Sequence, residues 1–121
     1  MNIWDHFSNF EQPQTPDDEG QCLVARCETG NIACDSYHSP ELDVEALKEL
    51  GAQTYRFSVA WSRIIDEDGG TITAGVEYYQ HLVKMLMEAN IEPVVTLFDW
   101  DLPSSLQDNF DGFLRHRVYS K

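Results

Sequence analysis

Basic residues are scarce in this chain of 121 residues, where 8 Lys and Arg stand against 21 Asp and Glu and the net charge at pH 7 is −13. Such an acidic surface repels phosphate, so nucleic acids and anionic membranes are disfavoured as partners. Long apolar runs are missing as well, and no window approaches the roughly 20 apolar residues of a membrane span. Residues 1–7 have neither the basic start nor the apolar run of a secretory signal. We therefore expect either a cytosolic protein or one whose true N-terminus lies upstream, and the compartment stays open.

Cysteine is limited to three residues in the first third of the chain, Cys22, Cys27 and Cys34. An odd number of cysteines cannot pair completely, and the spacing of the first two is not a recognised zinc pattern. Free thiols are therefore expected, although a disulfide between Cys22 and Cys27 stays open for a secreted protein. The sequence predicts no metal site and no cofactor.

Two helices are predicted in the middle of the chain. The first begins at Pro40, which follows Ser39 at the N-cap position, and ends at Gly51. The second covers about 75–88 and is closed by Asn90 in a left-handed conformation. The apolar sides of the two helices are predicted to contain Leu42, Val44, Ala46, Leu47 and Leu50, and Val76, Tyr79, Val83, Leu86 and Met87.

Two strands alternate with these helices. Along 55–61, bulky residues at odd positions alternate with Arg56, Ser58 and Ala60, which is the period of a strand with two different faces. The run 93–98 is almost continuously apolar, which is typical of a parallel strand that is covered on both faces. The alternating order predicts an α/β fold with a parallel crossover. Residues 8–31 are expected to form a loop, and residues 102–121 a loop and a short helix.

Polar and aromatic side chains follow the second strand directly, in the segment Thr96-Leu97-Phe98-Asp99-Trp100-Asp101-Leu102-Pro103. A strand that ends in such residues and then breaks into a loop is how α/β barrels present a binding site. The first strand contributes Arg56 among apolar residues, where a buried charge is costly unless an anion pairs with it. We expect these two segments to form part of a carbohydrate-type pocket.

Several ordered motifs resemble one known family. The strings Y-R-F-S-V-A-W-S-R-I, G-V-E-Y-Y and I-E-P-V-V-T-L-F-D-W-D-L-P are similar to the N-terminal region of family 1 glycoside hydrolases, the β-glucosidase and lactase type. The opening I-W-D-H-F and the later G-N-I-A-C-D-S-Y-H fit the same region. The resemblance covers nearly the whole chain and is weakest over residues 8–28.

The resemblance implies a retaining β-glycosidase on a (β/α)8 TIM barrel, acting on a β-glycoside sugar substrate. Such a barrel needs about 250 residues, so residues 1–121 would be one part of a single barrel domain, approximately strands two and three with their helices. The family's two catalytic glutamates lie in T-x-N-E-P and T-E-N-G motifs, and neither motif occurs here. The chain alone is therefore expected to be inactive.

The resemblance also assigns roles to residues. Arg56 matches an arginine that lies beside the nucleophile and keeps it ionised; the alternative is an arginine at the rim that reaches solvent. Trp100 matches a tryptophan that packs against the sugar; the alternative is an ordinary core tryptophan. Asp99 is a departure, because the family usually has a histidine that bonds a sugar hydroxyl, and an ionised carboxylate cannot donate. Its charge would either raise the pKa of the catalytic glutamates or draw Arg56 toward itself.

Three interpretations of the whole chain remain. It is the N-terminal part of a β-glycosidase, or a non-catalytic, klotho-like relative that binds carbohydrate or protein, or a chain that does not fold stably by itself. The third follows from the unpaired edges that two isolated barrel strands would have.

Overall fold

The computed structural model describes residues 1–9 and 22–114 of the chain. Most of the predicted loop over 8–31 therefore lies outside the described residues, and its two described ends are partly ordered by a helix and a short 3-10 turn. The chain divides into two compact units. One unit consists of Met1–Ala33 and Asp101–Lys121, and the other of Cys34–Trp100.

Helices and strands alternate in the unit formed by Cys34–Trp100. In chain order they are α2 (Pro40–Glu49), β1 (Thr54–Ser58), α3 (Trp61–Ile64), α4 (Thr73–Glu88) and β2 (Glu92–Thr96), while α1 (Ile3–Ser8) belongs to the other unit. Strands β1 and β2 are parallel, and their register pairs Thr54 with Glu92 and Ser58 with Thr96. Parallel neighbours need a long crossover, which α3 and α4 supply. The predicted α/β pattern is confirmed.

The core of this unit consists of Val44, Leu82, Leu86 and Ile91, against which Tyr55 and Phe57 pack from β1. Leu86 is fully buried. The alternation predicted for the first strand is confirmed over its described length, since its bulky odd-numbered residues contact the helices.

The apolar sides predicted for the helices are partly wrong. Leu42 and Leu50 are 66% and 81% exposed, whereas Val44 and Leu47 contact the core. Residues two apart in a helix are rotated by about 200°, so Leu42 cannot share a face with Val44. In α4 the buried leucines are Leu82 and Leu86. The other predicted residues of α4 instead line a second, open apolar groove of about 620 Å³, formed with Val59, Ile64 and Leu97.

Both predicted strands are shorter in the structure. Trp61 was predicted at the end of the first strand, but it is the first residue of helix α3. The last ladder bond is donated by the Val59 N–H to the Thr96 carbonyl, and the next free amide, that of Ala60, donates to the Tyr79 hydroxyl at 2.8 Å. A side-chain acceptor on α4 therefore ends the strand and starts the helix.

The second strand is covered on one face only, which corrects the expectation of cover on both faces. Its Val94, which lies opposite Arg56 on the uncovered face, is 44% exposed. The helices α2 and α4 pack on the face that carries Tyr55 and Phe57. Within the described residues, a sheet of two strands has nothing to cover its other face.

Turns and caps follow the sequence closely. Gly51 and Asn90 have φ angles of 67° and 56°, so the predicted left-handed helix ends are confirmed. Ser39 lies at the N-cap of α2, but its side chain makes no capping hydrogen bond. In the turn after α3, the Asp66 carboxylate accepts hydrogen bonds from the backbone N–H groups of Asp68 and Gly70, which fixes the reversal.

The other unit joins the two ends of the described chain. Asn2 caps α1 through a reciprocal capping box with Asp5, and the Ile3 N–H donates to the carbonyl of the buried Leu102. The predicted short helix in the tail is α5 (Ser104–Phe110), which a 3-10 turn over Gly112–Leu114 follows.

The expectation of three free thiols is wrong. Cys22 and Cys27 form a disulfide whose Cα atoms are 5.2 Å apart. The short 3-10 turn at Ala25–Cys27 brings the two side chains together, a local geometry that the spacing alone does not determine. Cys34 is free and exposed. None of the helices described is both long and apolar enough to cross a membrane.

Candidate functional site

The candidate site lies at the carboxyl ends of β1 and β2. Arg56 stands on β1 opposite Val94, so it shares a face of the sheet with Val94 and with Thr96 two residues further along. A diagonal neighbour at this position is within reach of a long side chain. The Arg56 Nε–H accordingly donates to the Thr96 hydroxyl, with 2.9 Å between the nitrogen and the oxygen.

Asp99 supplies the second partner of Arg56. It follows the end of β2 by three residues, and its Oδ2 accepts a hydrogen bond from Nη2 of Arg56 at 2.9 Å. Of the two consequences expected from an acidic residue here, the attraction of Arg56 is the one observed. The guanidinium is thus held at two points by groups from β2 and its exit, one neutral and one charged.

Arg56 is not buried in this chain. Its side chain is 56% exposed, and that of Asp99 is 35% exposed. Within the described residues the Arg56–Asp99 pair is therefore not a buried ion pair, because the sheet face that carries Arg56 is uncovered. Ion pairs with this exposure contribute about 0–1 kcal/mol to folding, so the pair orders the guanidinium more than it stabilises the unit.

Trp100 is not a core residue here. Its side chain is 74% exposed, and its φ of 67° places a bulky residue in the left-handed region. Such a conformation costs on the order of 1–3 kcal/mol and persists only where the surrounding structure holds it. The Trp100 ring lies 6.3 Å from that of Phe98, which in turn meets Trp61 edge-on at 6.5 Å. An indole face is therefore exposed to solvent at the residue that directly follows Asp99 in the sequence.

Helix α3 follows the carboxyl end of β1, where the candidate site lies, and helix α4 packs closely against it. Gly75 allows α4 to approach the Arg63 carbonyl so closely that an added Cβ would lie 1.8 Å from its oxygen. The Arg63 guanidinium carbon lies 3.8 Å from the centroid of the Tyr37 ring, and Tyr37 also contacts Tyr78. His38, from the same motif, pairs with Asp35. These packing and ion-pair contacts indicate a structural role for Tyr37 and His38.

Partial burial raises the pKa of the Tyr78 phenol above its ordinary value of 10.0, and the neighbouring Tyr79 adds to the increase. The cation of Arg63 acts in the opposite direction and does not cancel the effect. This phenol is a packing group on α4, since its hydroxyl donates to the Ser36 carbonyl. Among the described residues, no three His, Cys, Asp or Glu side chains are grouped as metal ligands would be.

The structure brings together the two charged residues that the sequence singled out, Arg56 and Asp99. It adds Thr96, which the sequence placed at the start of the pocket segment without giving it a role of its own. The signal that could have identified Thr96 is its spacing: in a parallel register it is the only hydroxyl of β2 on the face of Arg56.

The chain matches the model of the family described as glycosyl hydrolase family 1 over residues 1–120. Beta-glucosidase 11 of Oryza sativa subsp. japonica is 41% identical over 119 residues, which are 97% of this chain and 21% of that protein. The myrosinase of Brassica napus is 42% identical over 121 residues, 98% of this chain and 21% of that protein. The chain thus spans about a fifth of the length of these curated relatives.

Solved structures agree with these relatives. The family 1 β-glucosidase from Thermotoga maritima superposes with a TM-score of 0.83 at 35% identity, covering 99% of this chain and 25% of that one. A GH1 β-glucosidase from the fungus Humicola insolens, in complex with glucose, gives 0.83 at 38% identity over 98% of this chain and 24% of that one. These neighbours are TIM-barrel enzymes. On the family match and on these identities, the chain belongs to glycosyl hydrolase family 1.

Proposed function

We propose that this chain forms the part of a retaining β-glycosidase barrel that contributes strands two and three, and that Arg56, Asp99 and Trp100 line its sugar site. The whole of residues 1–121 would then be one portion of a single (β/α)8 domain. The observation that carries the proposal is the convergence of Arg56, Thr96 and Asp99 at the carboxyl ends of two adjacent parallel strands, the edge at which TIM-barrel enzymes build their sites.

The proposed role of Trp100 is to support a pyranose ring. An indole face matches the C–H surface of a sugar, and the indole N–H can donate to a hydroxyl. The exposure of 74% leaves this face accessible, and the left-handed backbone that presents it has the strain expected at a binding position. Family neighbours have been solved with glucose and with deoxynojirimycin, which are ligands of those proteins. The substrate class proposed here is a β-glycoside.

The proposed role of Arg56 is electrostatic. A guanidinium stays charged at any relevant pH and favours the ionised form of a carboxylate beside it. Retaining hydrolysis needs two carboxyl groups about 5–5.5 Å apart, one as nucleophile and one as acid and then base. The family's two glutamate motifs do not occur in this sequence, so both groups would come from other parts of the barrel. We expect the 121-residue chain alone not to hydrolyse 4-nitrophenyl β-glucoside.

Asp99 changes what this site can do. A histidine in its place would donate to a sugar hydroxyl without adding negative charge, whereas Asp99 accepts and also engages Arg56 at 2.9 Å. The guanidinium is therefore shared between Asp99 and any nucleophile beside it, which weakens its effect on the nucleophile. We expect reduced activity toward β-glycosides in the complete protein.

The experiment is the variant Asp99→His in the full-length protein, with kcat/KM measured on aryl β-glucosides. We expect kcat/KM to rise by about tenfold, the effect of one hydrogen bond to a substrate together with the release of Arg56. Asp101→His is the matched control, because it makes the same change two residues away. An unchanged kcat/KM in Asp99→His would refute the role given to Asp99, and hydrolysis by the 121-residue chain alone would refute the placement of the catalytic carboxyl groups.

A second candidate is a non-catalytic, klotho-like module that keeps the barrel and binds carbohydrate or protein. The Arg56–Asp99 pair favours it, because this pair occupies the arginine that the catalytic mechanism uses. The two candidates differ in the response to Asp99→His: a binding module gains no hydrolysis when the histidine is restored. Loss of either glutamate motif from the complete protein would decide for the module.

A further inference from the structure

Thr96 is the residue of the site that neither its sequence surroundings nor the family match assigns a role. It is the last residue of β2, and its carbonyl accepts the ladder bond from the Val59 N–H at 2.9 Å. Its backbone is therefore fixed to β1 at the point where its hydroxyl meets Arg56. A threonine side chain is also stiff at χ1, so the oxygen has few other positions to occupy.

The two acceptors of Arg56 act on different nitrogens. Thr96 accepts from Nε, close to the aliphatic stem, and Asp99 accepts from Nη2 at the far end. A single contact at Nη2 would let the guanidinium plane rotate about that contact, whereas two contacts on different nitrogens define the plane. In the part of the chain that the structure describes, both acceptors bind at Nε and Nη2, and none binds at Nη1.

We propose that Thr96 is a positioning residue for Arg56: its hydroxyl fixes the plane of the guanidinium, so that Asp99 does not rotate it away and Nη1 stays available to an anion from outside the described residues. This inference rests on the proposed function for the identity of that anion, a catalytic carboxylate. The hold on Nε itself is a property of the chain and is testable without catalysis.

The first experiment uses the 121-residue chain and measures the exchange rate of the Arg56 Nε–H with water by nitrogen-15 NMR. Removing the acceptor in Thr96→Val, which keeps the branched shape, is expected to accelerate exchange about fivefold to tenfold, in keeping with the loss of one hydrogen bond. Thr96→Ser keeps a hydroxyl and is expected to restore slow exchange. Thr54→Val is the matched control, because Thr54 lies on the same strand face at the far end of β1.

The outcomes separate this proposal from simple packing. If Thr96→Val unfolds the chain, Asp99→Asn still reports on the Nε bond: exchange of the Nε–H is expected to stay slow there, because its acceptor is Thr96, and faster exchange in Asp99→Asn would overturn the positioning role. Exchange that is as fast in Thr96→Ser as in Thr96→Val, or that Thr96→Val leaves unchanged, would overturn the positioning role.

The second experiment measures kcat and KM separately over pH in the full-length protein. We expect Thr96→Val to lower kcat with little change in KM and to move the acid limb of the pH profile upward, with rescue by Thr96→Ser. A normal profile in Thr96→Val beside a defective Arg56→Lys would overturn the role of Thr96 and leave the proposed function standing. Normal activity in Arg56→Lys, with the Nε exchange results as expected, would instead overturn the proposed function and leave the hold on Nε standing.

Discussion

Replacement of Gly75 by alanine is expected to destabilise the unit formed by Cys34–Trp100, although the same change in an ordinary helix is favourable. Alanine is the better helix former by up to about 1 kcal/mol, and it also reduces the entropy of the unfolded chain. Both effects predict a more stable protein. The surroundings of Gly75 predict the opposite, because the residue is buried where α4 meets α3.

The magnitude follows from the contact distances. An added Cβ would lie 1.8 Å from the Arg63 carbonyl oxygen and 2.7 Å from its carbon, and both are backbone atoms that no side-chain rotation can move. Carbon and oxygen atoms that are not bonded stay roughly 3 Å or more apart, so α4 and the end of α3 must separate by about 1 Å. Overpacking of this kind costs about 1–3 kcal/mol, which exceeds the gain in helix propensity. An approach of 1.8 Å to a backbone atom belongs at the upper end of that range, so we expect a net loss of about 2 kcal/mol.

The assay is urea denaturation followed by far-ultraviolet circular dichroism. Gly30→Ala is the control, since nothing lies within 4 Å of a Cβ there and its φ is not in the left-handed region. Its stability is expected to change by no more than about 0.5 kcal/mol. A Gly75→Ala protein that is as stable as the wild type, or more stable, would refute the close approach of α3 and α4 and the support that we ascribe to it.

Three further outcomes test the core, the disulfide and a partly buried phenol. Leu86→Ala empties a fully buried position and is expected to lower the free energy of unfolding by about 2–5 kcal/mol in urea, whereas Met87→Ala, at a side chain that is 64% exposed, changes it little. Reduction with dithiothreitol opens the Cys22–Cys27 loop and is expected to cost about 2 kcal/mol by the chain-entropy relation; equal stability of the oxidised and reduced protein would contradict it. Because folding raises the pKa of Tyr78 above 10.0, its contribution to stability is complete below that pH and is lost as the pH rises through the folded value, so the wild type is expected to lose stability above about pH 10 more steeply than Tyr78→Phe does.

Local signals in the sequence predicted the order of the elements and several of their ends. The left-handed Asn90 and the turn held by Asp66 depend on residues that are close along the chain, and both were predictable. Which face of each helix is buried was less predictable. Leu42 is as apolar as Val44, and only the position of the neighbouring elements determines which of them is buried. The end of the first strand depends on the Tyr79 hydroxyl, nineteen residues away along the chain.

The disulfide illustrates the same limit at short range. Cys22 and Cys27 are close enough in sequence to pair in many conformations, and the pairing depends on the backbone between them. Arg26 and Cys27 both have left-handed φ angles, 57° and 56°, which a sequence pattern does not predict for residues other than glycine. The odd number of cysteines and their spacing therefore favoured free thiols, and this prediction was wrong.

The candidate site depends on the register between β1 and β2, which the periodicity of the sequence does not determine. Alternation along β1 places Arg56 on one face, and the apolar run of β2 predicts a parallel neighbour. A shift of one residue in the register between the two strands, however, would move every side chain of β2 to the opposite face of the sheet. Only the observed pairing of Arg56 with Val94 makes Thr96 the diagonal partner and brings Asp99 within 2.9 Å of the guanidinium. A sequence can thus nominate an arginine and an aspartate as partners from a motif, whereas the hydroxyl that fixes the plane of the arginine is found only from the pairing of the strands.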